Sequence, residues 1–131
     1  MIAQHGILEI SASRLRANVE LFRRRLPKGT MVCAMVKADA YGHGLREIVP
    51  LLGPAGVEWA GVYTVDEALA VAKLGPELRV LAVAPLVITE EAPMAEAMLR
   101  ALVAARVRIC LTDLGSAERL ARMLLGVAEP G

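Results

Sequence analysis

Seven residues, 31–37, hold a single polar side chain, and it comes last, at Lys37. An apolar run of this length suits a strand of a parallel sheet that is covered on both faces. With side chains alternating, Met31, Cys33, Met35 and Lys37 share one face, and Val32, Ala34 and Val36 share the other. The run therefore delivers an ammonium to the tip of a buried strand, where it is expensive to hold without a partner. Ala38-Asp39-Ala40-Tyr41-Gly42-His43-Gly44 follows at once. Its glycines let backbone approach a ligand closely. A lysine on a strand tip before a small, glycine-rich turn reads as a covalent or anionic ligand site.

The rest of the chain repeats strand and helix around that run. Residues 7–10 are a short strand candidate, and Ser11 or Ser13 can cap the helix after it. Leu15, Val19, Leu21, Phe22 and Leu26 recur at near-helical spacing until Pro27-Lys28-Gly29 stops them. After Gly44, Leu45, Ile48, Val49, Leu51 and Leu52 form a helical pattern despite Pro50, ending at Gly53-Pro54. Residues 58–63 read as a strand. Thr64-Val65-Asp66-Glu67 has the capping-box spacing, S/T-x-x-E, before a helix over 68–74 that Gly75-Pro76 ends. Counting from the lysine-bearing one, residues 79–84 are a third strand, 85–91 a loop, 93–105 a helix and 107–112 a fourth strand. Asp113 or Ser116 opens a last helix to about Leu125, and 126–131 reads as an unstructured end.

Strands separated by helices of this length mean βαβ units with right-handed crossovers. The pattern leaves two architectures open: a doubly wound sheet, or part of a (β/α)₈ barrel. A whole barrel takes about 250 residues, and this chain has 131.

Composition bounds the partners. Fifteen basic residues balance fourteen acidic ones, for a net charge of +1, which argues against a nucleic-acid surface. Hydrophobic residues make up 56% of the chain, yet no run approaches the ~18 needed to span a membrane. The N-terminus lacks a basic segment followed by an apolar one, so no signal peptide is indicated. Cys33 and Cys110 sit in apolar runs and read as buried, reduced thiols, which makes the cytoplasm the default. No His/Cys cluster has metal-ligand spacing, and no Ser-His-Asp set or phosphate-binding P-loop occurs.

Val36-Lys37-Ala38-Asp39-Ala40-Tyr41-Gly42-His43-Gly44 resembles the cofactor-lysine signature of bacterial alanine racemases. The family often has Asn where Asp39 stands. Leu8-Glu9-Ile10 with Leu15-Arg16-Ala17-Asn18 resembles its opening strand and helix. Val62-Tyr63-Thr64-Val65-Asp66-Glu67-Ala68 resembles its next strand and helix start. The likeness covers nearly all of residues 7–125 and favours the barrel: an α/β chain forming the N-terminal half of a (β/α)₈ TIM-type barrel. On this reading residues 1–131 are a partial N-terminal domain. The barrel's second half, with a substrate-binding arginine after the fifth strand, is absent. So is the C-terminal β-domain, whose catalytic tyrosine reaches the partner subunit's site.

The resemblance assigns pyridoxal 5′-phosphate (PLP) as cofactor, bound covalently by Lys37, which also serves as one of two opposed acid–base groups. It gives Tyr41 to the PLP phosphate, through a neutral phenol donor. The alternatives are a lysine that merely reaches solvent from a strand end and a tyrosine packed for area. For His43 a backbone contact in the turn competes with a phosphate contact. Asp39 either bonds to the turn's backbone or pairs with His43. Tyr63 reads best as packing, and Asp66 and Glu67 as helix-start residues explained by capping and the helix dipole.

The implied function is racemisation of L-alanine to D-alanine, a supply step for peptidoglycan, by a cytoplasmic homodimer with no nucleic-acid or membrane partner. A racemase of broader substrate range and a non-catalytic PLP-binding remnant are the alternatives. Racemisation needs a second proton-transfer group on the face opposite Lys37, so residues 1–131 alone are expected to be inactive.

Overall fold

The computed structural model describes residues 6–89 and 94–127. Helix α1 (Ala12–Arg23) starts where the Ser11 hydroxyl accepts a hydrogen bond from Arg14 N–H. Strand β1 (Cys33–Met35) leads into the short turn α2 (Lys37–Tyr41) and then helix α3 (Leu45–Leu52). Strand β2 (Trp59–Val62) is followed by α4 (Val65–Leu74), β3 (Arg79–Pro85), α5 (Glu96–Ala104), β4 (Arg108–Cys110) and α6 (Leu114–Val127). The four strands form one sheet in the order β1-β2-β3-β4, every neighbouring pair parallel. Sequential order with parallel neighbours is the topology of one half of a (β/α)₈ barrel, and it excludes the doubly wound sheet, whose strand order reverses at a switch point.

The capping box holds: Thr64 Oγ1 accepts from Glu67 N–H, and Glu67 returns its carboxylate to the Thr64 N–H. Behind the sheet, Val36, Ala60, Val62, Val80 and Ala82 pack against Val49 and Leu52 of α3 and Ala68 and Val71 of α4. Val49, Val62 and Val71 are fully buried, each contributing about 1.5–3 kcal/mol of apolar transfer. A second cluster gathers Ile88, Leu99 and Leu120 between the chain after β3 and helices α5 and α6.

Among the described residues, helices cover one face of the sheet only, which corrects the expectation for the β1 run. Met31, Cys33 and Met35 point to the opposite, open face and are exposed. Cys33 is therefore not a buried thiol; Cys110 is half-buried. The same face carries Trp59, whose indole Nε1 donates to Met31 Sδ at 3.4 Å, and Arg79, 5.6 Å from the Trp59 ring. In a closed barrel this is the inward face. Residues 7–10 form no strand: they pair with none of the strands of the sheet, and a lone strand has no ladder to satisfy its backbone. The expected helix at 93–105 begins at Glu96; residues 90–93 and 128–131 lie outside the described residues, and α6 runs on to Val127. No helix among the described residues is long and apolar enough to cross a membrane.

Candidate active site

Lys37 stands two residues beyond the last residue of β1, at the C-terminal end of the sheet, rather than on the strand tip itself. Barrel enzymes carry their chemistry at this end. Ala38, Asp39, Ala40 and Tyr41 then run at φ 52–55°, in the left-handed region, and Gly42 closes the turn at φ 82°. For residues with a Cβ this conformation costs about 1–2 kcal/mol each. Only Gly42 takes it freely. The turn therefore depends on what surrounds it, and several bonds hold it. Inside the turn, Ala40 N–H donates to Val36 O and Gly42 N–H to Ala38 O. The carboxylate of Asp39 accepts from Leu45 N–H at 2.7 Å, so it caps α3 across the glycines instead of pairing with His43. His43 Nδ1 lies 2.8 Å from Ala40 O, a backbone contact within the turn.

The strongest tie comes from outside. Glu67 Oε1 accepts from Ala38 N–H at 2.7 Å; its Oε2 accepts from Tyr63 N–H at 2.9 Å and Thr64 N–H at 3.0 Å. Burial pushes the Glu67 carboxyl up, but the N–H groups of Thr64, Ala38 and Tyr63 outweigh that and hold it below the usual carboxylate range. Dipole and cap explain this residue's place in α4; they do not explain its grip on the lysine turn.

Met35 pairs with Gly61, so the next inward positions along the two strands, Lys37 and Tyr63, are neighbours. Gly61 makes room for the Met35 side chain: a Cβ there would lie 2.4 Å from Met35 Sδ. Lys37 Nζ sits 5.8 Å from the Tyr63 ring centroid, within cation–π range. Tyr63 is about half exposed, so its ring faces the lysine instead of packing into the core. Its role was hidden in the sequence because it depends on strand register, as the role of Glu67 depends on where Ala38 N–H points.

Lys37 is half-buried. Among the described residues the ion pairs are all made by arginines, so its amine is in none of them. Tyr41 is 57% exposed and, with His43, lines a groove of about 810 Å³ between α1 and the free edge of β1. Lys37 does not line that groove; the two candidate residues flank the end of β1, Lys37 toward β2 and Tyr41 toward the free edge. Among the described residues no group of three or more His, Cys, Asp or Glu side chains is placed to hold a metal ion.

A sequence profile described as the alanine racemase N-terminal domain matches residues 10–129. The chain belongs to that family. Alanine racemase from Methylacidiphilum infernorum is 39% identical over 83 residues, 63% of this chain and 21% of that protein. A serine/alanine racemase from Enterococcus gallinarum is 37% identical over 70 residues, 53% of this chain and 10% of that protein. Among solved structures, the alanine racemase of Streptomyces coelicolor superposes with a TM-score of 0.71 at 31% identity, covering 92% of this chain and 30% of that one. The family's N-terminal domain thus accounts for the four βα units, and the chain spans about a fifth or less of the length of these curated relatives.

Proposed function

We propose that this chain is the cofactor-lysine part of a PLP-dependent alanine racemase, an isomerase that interconverts L- and D-alanine. The observation that carries the reading is the placement of Lys37. The residue is half-buried at the C-terminal end of parallel strands, and its amine is in no ion pair among the described residues and is set over the Tyr63 ring. The residues fit the cofactor. Lys37 offers an amine for the covalent bond, and Tyr41 offers an exposed phenol on the other flank of the same turn for the phosphate.

When bound, PLP supplies an electron sink for the charge left when an amino acid loses its α-proton. The protein's own part is positional. The left-handed turn, tied by Glu67 and Asp39, sets where the Lys37 side chain starts. The Tyr63 ring bounds one side of its reach. A neutral Nζ accepts the α-proton from one face of the substrate. We assign the opposite-face group and the substrate-binding arginine to the remainder of the complete enzyme, a cytoplasmic homodimer.

The test is D-alanine formation from L-alanine by the complete enzyme and by its Lys37→Ala variant. Loss of an acid–base group costs about 10²–10⁴-fold, and loss of the covalent attachment adds to that. Unchanged turnover in the variant overturns the assignment. The serine/alanine racemase among the relatives supports a second reading, a broader substrate range; L-serine offered to the same enzyme decides it.

A further inference from the structure

We infer that Glu67 is a positioning residue for Lys37. The inference rests on the reading of Lys37 as the cofactor lysine and adds to it the part that holds the lysine in place. Three backbone N–H groups converge on one carboxylate, and they come from two different segments. Ala38 N–H belongs to the peptide that joins Lys37 to the turn; Tyr63 and Thr64 N–H belong to the link between β2 and α4. The two oxygens divide the work. Oε1 takes the lysine side, and Oε2 takes the β2 side, where the Thr64 hydroxyl also approaches it at 3.5 Å.

A helix cap alone would need only the β2 side. The bond to Ala38 crosses 29 positions of sequence and fixes the peptide plane immediately after Lys37. That plane opens a run of four left-handed residues with side chains, which has little stability of its own. Glu67 also anchors the Tyr63 backbone, so the ring facing Nζ and the peptide behind Lys37 are set by the same group. All its strong partners are backbone donors. It therefore orders the site without placing a carboxylate in an ion pair with the lysine.

This makes a chemical prediction that size and shape cannot mimic. Glutamine has nearly the same volume but one acceptor oxygen. Glu67→Gln can serve Ala38 N–H or the Tyr63–Thr64 pair, never both, and its NH₂ is left facing a donor. Thr64→Ala is the control: it removes the hydroxyl cap of α4 and leaves the carboxylate on Ala38.

The experiment uses the complete enzyme with both variants, and takes two readings of the site beside a melting temperature. The first is amide hydrogen exchange over residues 38–44 in cofactor-free protein. The second is PLP retained on dialysis, measured together with the melting temperature. Glu67→Gln is expected to speed exchange in the turn and weaken PLP retention about tenfold or more, the scale of a lost hydrogen bond to a charged group. Thr64→Ala is expected to lower the melting temperature and leave both readings within about twofold. Equal effects of the two variants on the turn would reduce Glu67 to a helix cap and overturn the inference. So would unchanged exchange at 38–44 in Glu67→Gln. If the parent enzyme retains no PLP on Lys37, the cofactor reading falls, and the exchange data still decide whether Glu67 holds the turn.

Discussion

Each end of the β1–β2 pair is closed by a glutamate, and the two are held in different ways. At the N-terminal end, Glu58 accepts from Val32 N–H at 2.8 Å and from the Arg23 guanidinium at 2.5 Å, which joins α1 to the sheet. Arg23 also reaches Gly56 O. At the C-terminal end, Glu67 takes the N–H groups of Ala38, Tyr63 and Thr64, with the Thr64 hydroxyl at 3.5 Å, and no cation among the described residues. Both carboxyls lie below their usual range. For Glu58 the cause is Arg23 first, then Val32 N–H; for Glu67 the amides prevail over burial. The lower clamp neutralises its charge internally and fastens a helix. The upper clamp spends its charge on ordering backbone beside a lysine that stays out of every ion pair among the described residues. Barrels separate stability at one end of the strands from chemistry at the other, and here one residue type serves both ends.

If that division is right, changes to the top groups that hold the lysine turn or the cofactor alter cofactor retention, and changes at the bottom alter melting. Tyr41→Phe is expected to weaken PLP retention by about 1.5–3 kcal/mol, one hydrogen bond to a charged group, with melting unchanged. Equal retention would remove Tyr41 from the phosphate. Glu58→Ala is expected to lower stability by about 1–3 kcal/mol, because Val32 N–H loses its acceptor, while PLP retention holds in the protein that remains folded. Its half-exposed Arg23 pair adds at most about 1 kcal/mol. Loss of PLP in proportion to Tyr41→Phe would erase the distinction between the ends.

Acid should strip both clamps together. Glu58 and Glu67 have lowered pKa values in the folded chain, so folding releases protons near those values. Their stabilisation is complete above the unfolded carboxylate value, about 4.3, and fades as pH falls through the folded values. Melting followed by circular dichroism should be flat from pH 7 to about 5 and decline below about 4. Glu58→Gln should shallow that decline; an unchanged slope would show that Glu58 contributes nothing to it. The smallest effect belongs to Asp39→Asn, which keeps an acceptor for Leu45 N–H and should stay within about 0.5 kcal/mol in melting. A larger loss would mean that the charge, not the acceptor, caps α3.

The βα alternation was legible because each strand run is bounded by turn or capping residues, as at Thr64–Glu67 and Gly75-Pro76. The lysine turn was legible from its residue types. What stayed hidden depends on partners. Residues 7–10 are rich in apolar residues like a strand but pair with none of the sheet's strands. Cys33 belongs to an apolar run, and its exposure follows from a sheet face without a second layer among the described residues. Tyr63 reaches Lys37 only through the Met35–Gly61 register. The left-handed path of Ala38 to Tyr41 runs against the preference of every residue in it except its closing glycine.

The most direct measurement is where the cofactor attaches. The chain offers three lysines, Lys28, Lys37 and Lys73. Borohydride reduction of the PLP-loaded complete enzyme, followed by peptide mass spectrometry, should place the reduced adduct on Lys37. An adduct on Lys28 or Lys73 with Lys37 unmodified would contradict the assignment of the site.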